Sequence, residues 1–179
     1  SIHFYPLAHG VYEYQNKEEE LKNLAYLESV VREAIQPDKP TILGEFGWYG
    51  GGKPKFDQDR HPAATEEQQA RYCRRLIETT AGFVCGWLNW GFYDQPEATD
   101  CSELTGLATS TGKIKAWGRN FKDLAQRYDG KLLPLPQIGA RPMLDWDTCL
   151  TSESAVREFQ QKYYEAFVAD TARISNSDQ

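Results

Sequence analysis

The chain reads as an α/β protein built on a parallel sheet. Apolar runs at residues 1–5, 40–47 and 83–88 have the length and content of strands, each closed by proline, glycine or a polar turn. Each is followed by a segment whose apolar residues recur at helical spacing. Strand and helix therefore alternate, and alternation of this kind implies parallel strands joined by right-handed crossovers. A sheet of these runs alone would leave two bare edges, which natural proteins avoid.

The 179 residues carry a formal net charge of -6, and 40% of them are hydrophobic. That is apolar material for one packed domain rather than two large ones. The acidic balance, with a pI near 5.1, argues against a phosphate-backbone binder, so no nucleic-acid partner is expected. No segment is apolar for long enough to cross a bilayer as a helix, and no signal peptide is visible, so no membrane partner is expected. The chain opens at Ser1 almost inside an apolar run, and its one methionine is Met143. It is read as a processed product or an excised piece whose natural start lies upstream. A secreted or periplasmic location is favoured over a cytoplasmic one. The cysteines, Cys73, Cys85, Cys101 and Cys149, match no zinc pattern. Cys73 falls on a helix and Cys85 in a strand, and both read as small buried hydrophobes. Cys101 and Cys149 fall in loops, open to pairing in an oxidising compartment.

In the first run Ile2 and Phe4 alternate with His3 and Tyr5, which places the two polar-tipped side chains on one face, and Pro6 stops the strand. Residues 7–16 read as a polar loop. A helix is expected from about Lys17 to Ile35, with Leu21, Leu24, Leu27, Val31, Ala34 and Ile35 in its stripe and Glu18, Glu19 and Glu20 complementing its positive end. Pro37 and Pro40 separate it from the central strand. The glycine-rich loop from Trp48 to Pro54 lacks the GK[ST] ending of a phosphate loop. Thr65 to Gln68 is a capping box for the next helix, whose buried stripe is Tyr72, Cys73, Leu76, Ile77 and Thr80 and whose stop is Gly82. The third strand, Phe83 to Leu88, runs into Asn89 to Asp94 and a long polar loop, within which Thr105 to Lys113 forms a turn or hairpin. A third helix is expected from about Lys115 to Tyr128, with Trp117, Phe121, Leu124 and Tyr128 on one side. Residues 129–149, with Pro134, Pro136 and Pro142, read as an extended surface crossing. The last helix, Glu153 to Ile174, carries Val156, Phe159, Tyr163, Phe167 and Ile174 in a stripe that needs a cover, and Ser175 to Gln179 are expected to be disordered.

The carboxylate that stands out is Glu45. It closes the central strand at its carboxyl end, where α/β folds place their chemistry. The plainer alternative is a partly exposed loop glutamate. His3 and Tyr5 have the plain reading of satisfied polar groups, Trp90 of a core residue, and Trp48 and Tyr49 of loop packing. Asp94, Glu97 and Asp100 read as solvated loop acids. His9 and His61 are loop histidines without metal-ligand spacing, so neither a metal nor a cofactor is expected.

The strand ends stand in the order His3-Phe4-Tyr5, Gly44-Glu45-Phe46-Gly47 and Trp87-Leu88-Asn89-Trp90-Gly91. This ordered set resembles the last βα units of the retaining (β/α)8 glycoside hydrolases, the cellulase-like clan A enzymes. There strand six ends in a His-x-Tyr element, strand seven carries the nucleophile in a Gly-Glu-[Phe/Trp/Ile]-Gly setting, and strand eight ends in a tryptophan. Gly106 to Lys113 and Trp117-Gly118 look like the hairpin and final helix of such enzymes, so the resemblance covers about residues 1 to 127. It implies an α/β (β/α)8 TIM barrel of which this chain supplies about the last three βα units plus a C-terminal helical extension. Residues 1–128 would be strands six to eight with their helices. Residues 129–179 would be an extended crossing and a helix packed on the barrel. A complete barrel takes roughly 250 residues.

A retaining glycosidase needs two carboxyl groups roughly 5–5.5 Å apart, one to attack the anomeric carbon and one to protonate the leaving oxygen. By resemblance Glu45 is the nucleophile, Tyr5 donates to it, and His3 faces the same pocket and binds a sugar hydroxyl. Trp90 would stack on the scissile sugar, with Trp48, Tyr49, Phe92 and Tyr93 as further sugar contacts. The implied partner is a carbohydrate substrate, β-linked. The family's acid/base glutamate stands in an Asn-Glu pair, and this sequence contains none. It is expected upstream of this chain, on a missing N-terminal barrel half, or else self-association covers the edges. The rival reading is a non-catalytic carbohydrate-binding or assembly protein on a partial or decayed barrel. A metal-dependent barrel hydrolase is opposed by the lack of clustered His and Asp.

Overall fold

The computed structural model describes residues 1–5, 16–36, 38–55, 60–131 and 133–177. Pro6, His9, Pro37, Asp57, Asp59, nearly all of the loop after the first strand and the last two residues of the tail lie outside the described residues. The strands β1 (Ile2–Phe4), β2 (Leu43–Phe46) and β3 (Trp87–Asn89) form a three-stranded parallel sheet in the order β1-β2-β3. Each is followed by its helix: α1 (Lys17–Ala34), α2 (Glu66–Thr80) and α3 (Ala116–Tyr128). A one-turn helix, α4 (Trp146–Cys149), and a long one, α5 (Glu153–Ser177), complete the chain. The alternation that the sequence predicts is thus present as a mixed α/β fold around a small parallel sheet.

Local chemistry accounts for the helix starts. Asn16 caps α1, its side-chain oxygen accepting from the N–H groups of Glu18 and Glu19 at 3.0 and 3.4 Å. The capping box of α2 forms in both directions between Thr65 and Gln68. The expected stripe of α2 is buried in full: Tyr72, Cys73, Leu76, Ile77 and Thr80. Gly82 ends this helix at φ 87°, and a Cβ there would lie 2.5 Å from the carbonyl oxygen of Pro134. The left-handed turn and the proline-rich crossing therefore both demand glycine.

The core lies between the sheet and its helices. Leu43 and Phe46 of β2 are fully buried, and Phe46 meets Trp117 edge-on at 6.2 Å and Phe121 at the same distance. Leu24, Leu27 and Val31 of α1 join the same cluster. Burial of this kind is the main favourable term in folding, about 25 cal/mol per Å² of apolar surface.

The third strand is shorter and later than expected. The N–H groups of Phe83 and Val84 go to the Thr80 carbonyl, at 3.0 and 3.2 Å, so they finish the turn after α2 instead of joining the sheet. Pairing begins only at Cys85, whose N–H reaches Thr41 O at 2.8 Å. As an edge strand β3 leaves residues facing outward, and Cys85 is exposed, not the buried hydrophobe expected. All of the cysteines are free thiols, so Cys101 and Cys149 do not pair. Ser175 to Ser177, expected in a disordered tail, continue α5.

Helix α5 finds its cover on α1. Tyr163 and Phe167 are buried there. The contact also closes over charge: Glu28 of α1 accepts from Tyr163 Oη at 2.9 Å and from Arg141 Nε at 2.8 Å, and Arg141 in turn binds Asp170. The far side of α1 is tied to α2 by Glu20, which takes Arg71 at 2.7 Å and also Arg75. These acids are buried, which is tolerable only because each is paired and hydrogen-bonded.

Candidate active site

The sheet register builds the centre of the site. A bulge after Ile2 puts His3 opposite Glu45 and Phe4 opposite Phe46. Alternation along β1 then returns Tyr5 to the face of His3. The Tyr5 hydroxyl donates to Glu45 Oε2 at 3.2 Å, and His3 Nδ1 lies 3.3 Å from the same oxygen. Among the described residues both of these partners of the carboxylate sit on Oε2. The Glu45 side chain is 30% exposed, sheltered yet reachable. Burial first, and the adjacent Glu45 carboxylate second, push the Tyr5 phenol well above its ordinary value, so it remains a donor. The Cys101 thiol borders this group and is pushed up to about 11, by burial first and by Asp100 second. It is a protonated, unreactive thiol at neutral pH.

Trp90 stands one strand over. Its N–H joins Phe46 O at 2.8 Å, the residue is 42% exposed, and its indole N–H donates to Ser102 Oγ at 2.8 Å. Gly47 is required directly beneath: a Cβ there would lie 2.8 Å from Trp90 O. Asn89 braces the turn from within. Its amide donates to Gly91 O at 2.9 Å and to Thr105 O at 3.3 Å, and its side-chain oxygen accepts from the Trp117 indole at 2.7 Å. The Trp90–Gly91 peptide bond is cis. Phe92 and Tyr93 follow, both exposed, with their rings 4.8 Å apart and nearly perpendicular.

Two of the expected sugar contacts are corrected by burial. Trp48 and Tyr49 are 3% and 0% exposed. They pack on each other at 5.4 Å and on His61 at 5.4 and 5.6 Å, and the Tyr49 hydroxyl donates to Pro62 O at 2.9 Å. A ring enclosed in this way has no face to offer a sugar. Trp48→Ala is therefore expected to cost about 3–5 kcal/mol of stability, seen as a lower denaturant midpoint. The dissociation constant of any sugar for the folded fraction should not change.

A third correction concerns Asp94, expected to be a solvated loop acid. It is buried against Lys115, whose ammonium donates to Asp94 Oδ1 and Oδ2 at 2.9 and 3.1 Å, to Gly50 O at 2.8 Å and to Leu104 O at 2.9 Å. Asp94 Oδ1 also accepts from Gly106 N–H at 2.8 Å. Burial pushes the Asp94 carboxyl up, opposed by the Lys115 ammonium and the Gly106 N–H, and pushes the Lys115 ammonium down, opposed first by the Asp94 carboxylate. The pair ties the loop after β2 to the loop after β3, on which Trp90 stands. Glu97 and Asp100 are exposed as expected. Asp100 is hydrogen-bonded to the Ser102 side chain and accepts from the Ser102 N–H at 2.8 Å, and these bonds, the side-chain one first, keep its carboxyl below the usual range.

Lys115, Ser102 and Asn89 are the residues that sequence reasoning missed. A lone lysine at a helix start and a serine in a polar loop carry no pattern; only Asn89, beside Trp90, gave a signal. Among the described residues no group of three or more His, Cys, Asp or Glu is arranged to hold a metal ion, and no helix is long and apolar enough to cross a membrane.

Fold and site together place the chain among α/β proteins with a small parallel sheet and a carboxylate at its carboxyl edge. Two solved structures share this fold over part of their length. One is GH5_18 from Bifidobacterium longum, with a TM-score of 0.53, 22% identity and 75% of this chain covered. The other is a glutamate-to-alanine variant of GH5_18 from the same organism in complex with Manβ1-4GlcNAc, with a TM-score of 0.54, 20% identity and 76% covered. These are glycoside hydrolase barrels, and the chain spans 32% of their length. At this identity the likeness is one of fold. No family model and no curated protein sequence matches the chain.

Proposed function

We propose that this chain is the C-terminal part of a (β/α)8 retaining glycosidase acting on a β-linked glycan, with Glu45 as the nucleophile. Residues 1–128 would supply the last three βα units and residues 129–179 an outer layer. The observation that carries the reading is the Glu45 carboxylate, reachable at the carboxyl end of β2 and held on one oxygen by Tyr5 and His3. A carboxylate so held is oriented before substrate arrives. Its Oε1 would attack the anomeric carbon as the glycosidic bond breaks, giving a glycosyl ester that water then hydrolyses. Trp90, ring exposed beside this centre, would carry the apolar face of the pyranose. His3, with its imidazole 54% exposed, would reach a sugar hydroxyl. The complex of a similar barrel with Manβ1-4GlcNAc supports a β-linked mannoside or glucosaminide among the candidates. The acid that protonates the leaving oxygen belongs, on this reading, to a part of the barrel that this chain does not carry.

The test removes the need for that acid. A 2-deoxy-2-fluoro β-glycosyl fluoride loses its leaving group unaided, so the first step calls on the nucleophile alone. Incubation with gluco- and manno-configured reagents is expected to add one glycosyl mass, located on Glu45 by peptide mapping. A label on another residue, or none from either reagent, would overturn the assignment. The absence of an Asn-Glu pair favours a second reading, a carbohydrate-binding protein without turnover. On that reading cellobiose or Manβ1-4GlcNAc binds, with dependence on Trp90, and no label forms.

A further inference from the structure

Trp90 is 42% exposed, so packing encloses it only in part and its side-chain torsions are held firmly only if something ties the ring. Here the tie is Ser102. The Trp90 indole N–H donates to Ser102 Oγ at 2.8 Å, and the same serine side chain is held in turn by a hydrogen bond to the Asp100 carboxylate. Ser102 cannot follow the ring if it swings. It is 5% exposed, its N–H is held by Asp100 Oδ1 at 2.8 Å, and its carbonyl accepts from Gln95 N–H at 3.0 Å. The hydroxyl is a fixed acceptor on a short 3-10 turn, Cys101–Glu103. At its other end Trp90 is fixed by its own N–H to Phe46 O at 2.8 Å. The ring is thus pinned at the backbone and at its far edge. The same turn borders the centre of the site, since Cys101 and Asp100 lie close enough to Tyr5 to push its phenol up.

We infer that Ser102 is a positioning residue for the sugar platform: it fixes the Trp90 indole in the orientation that offers its open face to a pyranose. This rests on the reading of Trp90 as that platform. With the hydroxyl in place the ring is ordered before the sugar arrives. Without it, binding must immobilise the ring, a cost that weakens affinity about three- to tenfold.

The experiment is a double-mutant cycle on the full chain, read as the dissociation constants of cellobiose and Manβ1-4GlcNAc by calorimetry. Ser102→Ala is expected to weaken binding about three- to tenfold. In a Trp90→Phe background, which keeps a ring but has no N–H, the same serine change should do nothing further. Unchanged binding in Ser102→Ala, or an equal loss in both backgrounds, would overturn the inference, because a merely structural serine does not depend on the indole N–H. Trp90→Ala separates this result from the reading beneath it. Loss of binding there with none in Ser102→Ala sinks the positioning role alone; no loss there sinks the platform itself.

Discussion

Glu45→Gln is expected to lower glycoside turnover by roughly 10⁴- to 10⁶-fold, the scale seen when a covalent nucleophile is removed. The amide is nearly isosteric, and its carbonyl oxygen can still accept from Tyr5, which donates at 3.2 Å. The side chain is 30% exposed, so little packing is at stake. The thermal midpoint should therefore move by no more than about 2 °C. The informative partner is Glu45→Gly assayed with azide. A small anion filling the vacated space would attack the anomeric carbon in place of the carboxylate and give a glycosyl azide of inverted configuration. Full turnover in Glu45→Gln, measured with an aryl β-glycoside on the complete protein, would remove Glu45 from the mechanism.

Lys115→Met is expected to cost much of the chain's stability. Its ammonium is 1% exposed and satisfies a carboxylate and two carbonyl groups. Taking it away leaves Asp94 charged, buried and without its cation, a cost of about 3–5 kcal/mol. For a chain of this size that lowers the thermal midpoint by roughly 10 °C. Asp94→Leu added to Lys115→Met is expected to recover part of the loss, because an apolar pair carries no desolvation cost. A midpoint lowered by less than about 2 °C in Lys115→Met would show that water reaches Asp94 and that the pair does not hold the loops. Since Gly50 and Leu104 hang on the same ammonium, weaker sugar binding should accompany the loss.

The site was legible in the sequence to the extent that it is local. Glu45 at a strand end, and His3 and Tyr5 two apart on one face, are read from alternation along a strand. The register of β1 on β2 then makes them neighbours. Trp90 was visible as an aromatic residue after a strand. The same reasoning failed for Trp48 and Tyr49, which are just as aromatic and just as close to a strand end. What separates them from Trp90 is His61 and the chain beside it, which close over their rings. Nothing within either local stretch encodes that difference.

By itself the sequence determined the order of strands and helices, the capping of α2, the buried stripe of α2 and the carboxylate at the centre of the sheet. Each of these follows from periodicity or from hydrogen bonds within a few residues. Only the tertiary structure decided where the third strand begins to pair, where α5 docks, that Asp94 is buried against Lys115, and that Ser102 holds Trp90. The physical reason is the same in each case. A backbone or side-chain polar group must find a partner when it is buried, and the partner it finds is set by what the folded chain brings within reach. Asp94 and Lys115 stand 21 positions apart and Ser102 and Trp90 stand 12 apart, distances over which no local pattern survives.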